Sequence, residues 1–216
     1  TVTPIYYQHI CYGYCVSDGS LFALKSELSY LWTVNIGMAL ENIRKWQWIN
    51  RMNEKINRMW KYDMLTQVLN RSGFFYCAET ILQKIKEEKS NAFIIFLDID
   101  GLKSVNDNLG HEIGDAFIAK IAGIFKEVVP KDCLIMRYGG DEFVVFGSCK
   151  QAGRMQRIAE DIKAAIKTAD QKENRSYHLA ASLGCSLHKS YEMDNLNSLI
   201  ELADKKMYEE KKNKRR

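Results

Sequence analysis

Arg137-Tyr138-Gly139-Gly140-Asp141-Glu142-Phe143-Val144-Val145 is the stretch on which the reading of this chain turns. Leu134, Ile135 and Met136 precede the two glycines and an apolar run from Phe143 to Phe146 follows the two acids. The segment therefore reads as strand, tight turn, strand, with Asp141 and Glu142 at the tip of a hairpin. Neighbouring carboxylates repel each other, a cost that a fold accepts most readily where a cation will lie between them. Gly139 and Gly140 supply backbone freedom and let a ligand come close to the main chain. Taken alone, the same residues also fit an acidic surface turn, and the choice depends on the rest of the chain.

Upstream, Ala92-Phe93-Ile94-Ile95-Phe96-Leu97 is a continuous apolar run, the pattern of a central strand buried on both faces. It ends in Asp98-Ile99-Asp100-Gly101-Leu102-Lys103-Ser104-Val105-Asn106-Asp107, followed by Leu109-Gly110-His111-Glu112-Ile113-Gly114-Asp115. Acids at the end of a buried strand lie on the rim of a sheet, where oxygen ligands reach a hard cation such as magnesium. An isolated Asp-x-Asp also fits a simple strand cap. Here Lys103 can neutralise phosphate, while the amide of Asn106 and the carboxylate of Asp115 can read a guanine edge. His111, after a glycine at a helix start, fits a local hydrogen-bonding role as well as ligand contact.

Around these segments, Asn70 is a good cap for a helix from about Gly73 to Glu88. Helices are expected from about Asp115 to Val129, within 151–169, and from about Asn197 to Lys212, with a strand from His178 to Leu187. At the start, residues 5–16 are aromatic and β-prone, and Ser17-Asp18-Gly19-Ser20 is a turn signal. One or two strands do not stand alone, so these pair with a sheet outside the sequence or pack on a partner. From Ser26 to about Tyr62 there is no proline and a single glycine, Gly37. Ile36, Ala39, Ile43 and Trp46, then Ile49, Met52, Ile56 and Met59, recur at helical spacing. The step of three between Trp46 and Ile49, where four was due, tightens a coiled coil locally. The stripe suits an amphipathic helix lying on its own domain, but its length favours a dimerising signalling helix.

With 216 residues, 46% hydrophobic and 27% charged, the chain has the balance of a soluble globular protein of one good-sized domain or a domain with an appendage. No apolar run approaches the roughly eighteen residues needed to span a bilayer, and the start lacks a secretory pattern. Thr1 in the first position leaves room for a preceding part, one that could be membrane-bound. The six cysteines are scattered without a Cys-x-x-Cys pair, which argues against zinc and for reduced thiols in the cytoplasm. The net charge of +4 resides in residues 203–216, with seven basic residues against three acidic ones. That fits a solvated helix end or a frayed tail, and without interleaved aromatics it speaks against nucleic-acid binding.

Taken together, the segments from roughly Asp63 to Arg216 resemble the GGDEF family of diguanylate cyclases. Asp63-Met64-Leu65-Thr66-Gln67-Val68-Leu69-Asn70-Arg71 is similar to its Asp-x-Leu-Thr opening, with Gln67 where glycine is usual. The run from Asp98 to Asp115 is similar to its Asp-x-Asp-x-Phe-Lys motif, with Leu102 for phenylalanine. Ser182 and Gly184 match its Ser-x-Gly strand. Ala203 to Lys211 is similar to its closing motif, with Lys214 for the usual glycine and Arg216 for asparagine.

The resemblance implies an α/β (α+β) fold with a mixed, largely antiparallel central sheet flanked by helices, like the palm of polymerases and nucleotide cyclases. The expected organisation is a strand remnant of a GAF-like sensory domain at 1–25, a signalling helix at 26–62 and the catalytic domain at 63–216. Two GTP molecules would be condensed to cyclic di-GMP across a homodimer formed through the helix. Two Mg2+ ions per site, with Mn2+ as a substitute, would be held by Asp98, the carbonyl of Ile99, Asp141 and Glu142. Asp141, Lys103 and Glu142 would serve catalysis. Asn106, His111, Asp115, Gly139, Gly140, Lys211 and Arg215 would hold GTP. The family's Arg-x-x-Asp product-inhibition site would fall on Pro130 and Cys133 and is therefore absent. An inactive, GTP-binding regulatory domain is the alternative reading.

Overall fold

The computed structural model describes residues 2–16, 26–172, 177–189 and 195–214, with side chains from Tyr30 onward in the first helix. Contacts divide the chain into two units, Thr1–Asn57 and Arg58–Arg216. In the first, β1 (Val2–Tyr7) and β2 (Ile10–Val16) form an antiparallel hairpin in register from Val2 with Val16 to Tyr7 with Ile10. The two strands pair with each other. The expected turn at Ser17–Ser20 lies outside the described residues. Helix α1 (Ser26–Lys61) follows without interruption for 36 residues. Glu41 on α1 is buried and accepts a hydrogen bond from Arg44 on the same helix and one from the Tyr12 hydroxyl on β2, the latter tying the hairpin to the helix. Further along, Ile43, Trp46, Ile49, Met52, Ile56 and Met59 are all exposed. All four tryptophans of the chain lie on α1, with Trp32, Trp46 and Trp48 largely exposed and Trp60 half-exposed beside the Tyr76 ring. Among the described residues no helix is long and apolar enough to cross a membrane.

The second unit contains α2 (Arg71–Glu87), β3 (Asn91–Ile99), α3 (Leu102–Leu109), α4 (His111–Val128), β4 (Leu134–Arg137), β5 (Glu142–Cys149), α5 (Arg154–Lys172), β6 (Ala181–His188) and α6 (Leu196–Lys214). Asn70 caps α2 as its sequence suggests, its Oδ1 accepting from the Gly73 amide at 2.9 Å. Its Nδ2 also donates to the carbonyls of Met59 and Tyr62, which fastens the last turn of α1 to the first turn of α2. The four strands run in the order β4-β5-β3-β6, and every pairing between them is antiparallel. The parallel component expected of the sheet reduces to one isolated bridge, Leu69 with Met136.

β3 explains its own composition. Phe93, Ile95, Leu97 and Ile99 point to a core shared with α3, α4 and α5, whereas Ala92, Ile94 and Phe96 point to a second core against α2 and α6. A strand covered on both faces has no polar side to show, so its apolar run is continuous. The alternation also sends Asp98 to the α6 side of the sheet. One boundary differs from the sequence reading. The helix expected from Asp115 begins at His111, and a separate short helix, α3, precedes it. Gly110, at φ 89°, makes the break between them, a conformation that side-chain-bearing residues adopt only with strain.

Candidate active site

The antiparallel register brings the acids together. Asp98, next to the last residue of β3, lies opposite Glu142 on β5 and opposite Ser182 on β6. The Ile99 amide donates to the carbonyl of Asp141 at 3.0 Å, so the hairpin tip is pinned beside the end of β3 by its backbone. Burial raises the Asp98 carboxyl above its ordinary range and the nearby Asp141 and Asp100 charges add to this, against the opposing pull of Lys211. Glu142 is raised too, by burial first and then by Asp141, Asp204 and Asp98. The three carboxylates Asp98, Asp141 and Glu142 therefore feel one another.

An open cavity of about 800 Å³ lies at this end of the sheet and is lined by Ile99, Asp100, Lys103, Asp141, Lys211 and Lys214 among others. The Lys211 ammonium reaches back from α6 to form an ion pair with Asp98. One turn later, Lys214 Nζ lies 3.1 Å from Asp100 Oδ2, 3.1 Å from Ser182 Oγ and 2.8 Å from the Ala181 carbonyl. Ser182 Oγ donates to Asp100 Oδ1 at 2.8 Å. Among the described residues no three histidine, cysteine, aspartate or glutamate side chains already stand grouped around a metal position. The donors at the β3 end and the hairpin tip are nonetheless hard oxygens in mutual repulsion, with lysines in place to balance phosphate. In type they suit a divalent cation such as magnesium bound together with a nucleotide.

The structure separates the expected residues into two groups. Lys103, Asp141, Lys211 and the Ile99 backbone share the cavity. Asn106, His111 and Asp115 belong instead to the α3–α4 junction, outside the cavity wall. Asn106 Oδ1 is buried without a hydrogen-bond partner, a feature that calls for a ligand or water. It packs so closely on Gly114 that any side chain there would collide with it. His111 and Asp115 are exposed. Arg215 lies outside the described residues. Gly139 and Gly140 do not use left-handed backbone, contrary to the freedom expected of them. Gly139 instead leaves room for Glu142, whose Oε2 would lie 2.5 Å from an added Cβ, and Gly140 faces open space.

Two participants escaped the sequence reading. Arg137 donates through Nη1 to both carboxylate oxygens of Asp63, at 3.2 and 3.3 Å, and through Nη2 to the Gly140 carbonyl at 2.7 Å. It thereby joins the segment after α1 to the hairpin turn. Burial pushes the Asp63 carboxyl up, but the hydroxyl and amide of Thr66 together with Arg137 hold it below its ordinary value. Lys214 with Ser182 is the second. Arg137 stood in the opening stretch and Ser182 in a recognised strand motif, yet nothing local told which distant group each would meet.

The family model for the diguanylate cyclase GGDEF domain matches residues 60–216. Diguanylate cyclase A of Treponema denticola is 29% identical over 199 residues, covering 90% of this chain and 53% of that protein. Diguanylate cyclase VdcA of Vibrio cholerae is 31% identical over 168 residues, 76% of this chain and 48% of its own length. The chain thus spans about half the length of these curated relatives. Among solved structures, the coiled coil and GGDEF domain of DgcB from Caulobacter crescentus, in complex with c-di-GMP, superposes with a TM-score of 0.72 at 23% identity over 82% of this chain and 93% of that one. The GGDEF domain of YfiN from Pseudomonas aeruginosa gives 0.61 at 27% identity, covering 68% and 92%.

Proposed function

Because the chain belongs to the GGDEF diguanylate cyclase family, we propose that it condenses two GTP molecules into cyclic di-GMP and two pyrophosphates, each of two facing domains holding one nucleotide. The observation that carries this reading is the cavity at the end of β3, which gathers Lys103, Lys211, Asp141 and the backbone of Ile99 beside the carboxylates of Asp98 and Glu142.

Asp98, the carbonyl of Ile99, Asp141 and Glu142 would hold divalent cations, two Mg2+ or Mn2+ per site. When bound, these ions neutralise charge on the attacking and leaving oxygens of phosphoryl transfer. Asn106, His111 and Asp115 hold the nucleoside, and the unpaired Asn106 Oδ1 is free to accept from a guanine N–H. Lys103, Lys211 and Arg215 clamp the phosphates. The 3′-oxygen of one nucleotide forms a bond to the α-phosphorus of the other, and the bond from that phosphorus to the bridging oxygen breaks. Pyrophosphate leaves with that electron pair, and Asp141 takes the 3′ proton. Repetition in the opposite sense closes the ring. Lys211, now on Asp98, passes to phosphate when the nucleotide enters.

The exposed apolar stripe of α1 supports a homodimer formed through that helix. The hairpin and α1 are read as the end of an upstream GAF-type sensory domain and its output helix. An upstream sequence without a sensory domain would remove that part of the reading. Pro130 and Cys133 occupy the positions of a product-inhibition motif, and the one nearby acid, Asp132, is engaged by Arg154 at 2.7 Å. Product therefore has no such site to occupy.

The test is incubation with GTP and Mg2+ at several protein concentrations, with the nucleotides separated by chromatography. Cyclic di-GMP formed at a rate steeper than linear in protein supports the proposal. GTP bound but unconverted, even in a forced dimer, would replace it with the regulatory reading.

A further inference from the structure

The two aspartates at the end of β3 have the same chemistry and opposite circumstances. They are two residues apart and both face α6, where Lys211 and Lys214, one turn apart, meet them singly. Among the described residues Asp98 has one side-chain donor, the ammonium of Lys211. Asp100 has both oxygens engaged, by two different donors. Fully buried Ser182 serves Oδ1 at 2.8 Å and lies 3.1 Å from Oδ2, and Lys214 serves Oδ2 at 3.1 Å. Lys214 is itself anchored by the Ala181 carbonyl. A carboxylate satisfied in this way must break hydrogen bonds before it can bind a cation, and that cost sets it apart from its neighbour.

We propose that Lys214 is a positioning residue that, with Ser182, keeps Asp100 out of metal coordination, so that the Asp-x-Asp pair offers the cation only the Asp98 carboxylate. This rests on the metal site of the proposed function. It has a chemical purpose there, since Mg2+ is typically held by one or two carboxylates and completed by substrate phosphate. A pair free to chelate would fill coordination positions that the nucleotide needs.

A double-mutant cycle tests this. Mn2+ binding to the nucleotide-free chain is measured by electron paramagnetic resonance of the unbound ion for the parent, D100N, K214M and the double variant, with K214R as the conservative control and circular dichroism as the check on folding. In the parent background, D100N should change the affinity by less than about twofold. In the K214M background, where Asp100 is released to the ion, it should lower the affinity about tenfold, a coupling that simple loss of charge does not produce. K214R should bind as the parent does. Equal effects of D100N in both backgrounds would overturn this inference alone. Absence of Mn2+ binding in the parent and every variant would overturn it together with the metal reading beneath it.

Discussion

Asp141 divides its duties between two groups of atoms. Its carbonyl fixes the hairpin tip to Ile99, while its carboxylate is the proton acceptor of the proposed reaction. Asp141→Ala should therefore lower cyclic di-GMP formation by more than about a thousandfold and leave stability within about 0.5 kcal/mol, as read by nucleotide chromatography beside a urea titration. Gly114 supports Asn106 by having no side chain. Gly114→Ala should displace that amide, weaken GTP binding about tenfold in calorimetry, and cost about 1–3 kcal/mol of stability as an overpacking change. In the first unit, the Arg44 bond, followed by the Tyr12 hydroxyl, holds the Glu41 carboxyl down to about 2. A depressed acid contributes stability above its unfolded value and loses that contribution only as pH falls through its folded value. Glu41 should thus still be ionised at about pH 3, where ordinary glutamates are protonated, a difference that carboxyl carbon NMR resolves.

Among the elements, those with a clear period were the ones legible from the residues. The apolar run of β3, the stripe of α1, the Asn70 cap and the glycine hairpin each state their structure within a few positions. α3 did not, because eight residues flanked by Gly101 and Gly110 leave little periodicity to read. The pairs that complete the site were also hidden, for a different reason. Arg137 and Asp63 are 74 residues apart and Ser182 and Asp100 are 82 apart, and only the tertiary fold makes them neighbours. Two outcomes belong to this scale. Asn70→Ala removes the cap of α2 and its grip on the end of α1, and should cost about 1–2 kcal/mol in urea unfolding. Charges placed on the α1 stripe, as in the paired change Ile49→Asp with Met52→Asp, should shift the chain to monomer in sedimentation and reduce turnover in parallel.

For the molecule as a whole, the proposed synthesis by facing domains without a product-inhibition motif would make a cyclase that is limited by encounter and not by its own product. Its progress curves should be unchanged by added micromolar cyclic di-GMP, and calorimetry of that ligand should show no tight complex. The placement of the tryptophans offers a way to watch assembly separately from chemistry. Since every indole of the chain is on α1 and three of the four are largely exposed, tryptophan fluorescence is a signal from that helix alone. A blue shift of the emission on concentrating the nucleotide-free protein would mark indoles leaving water as helices meet, without a label.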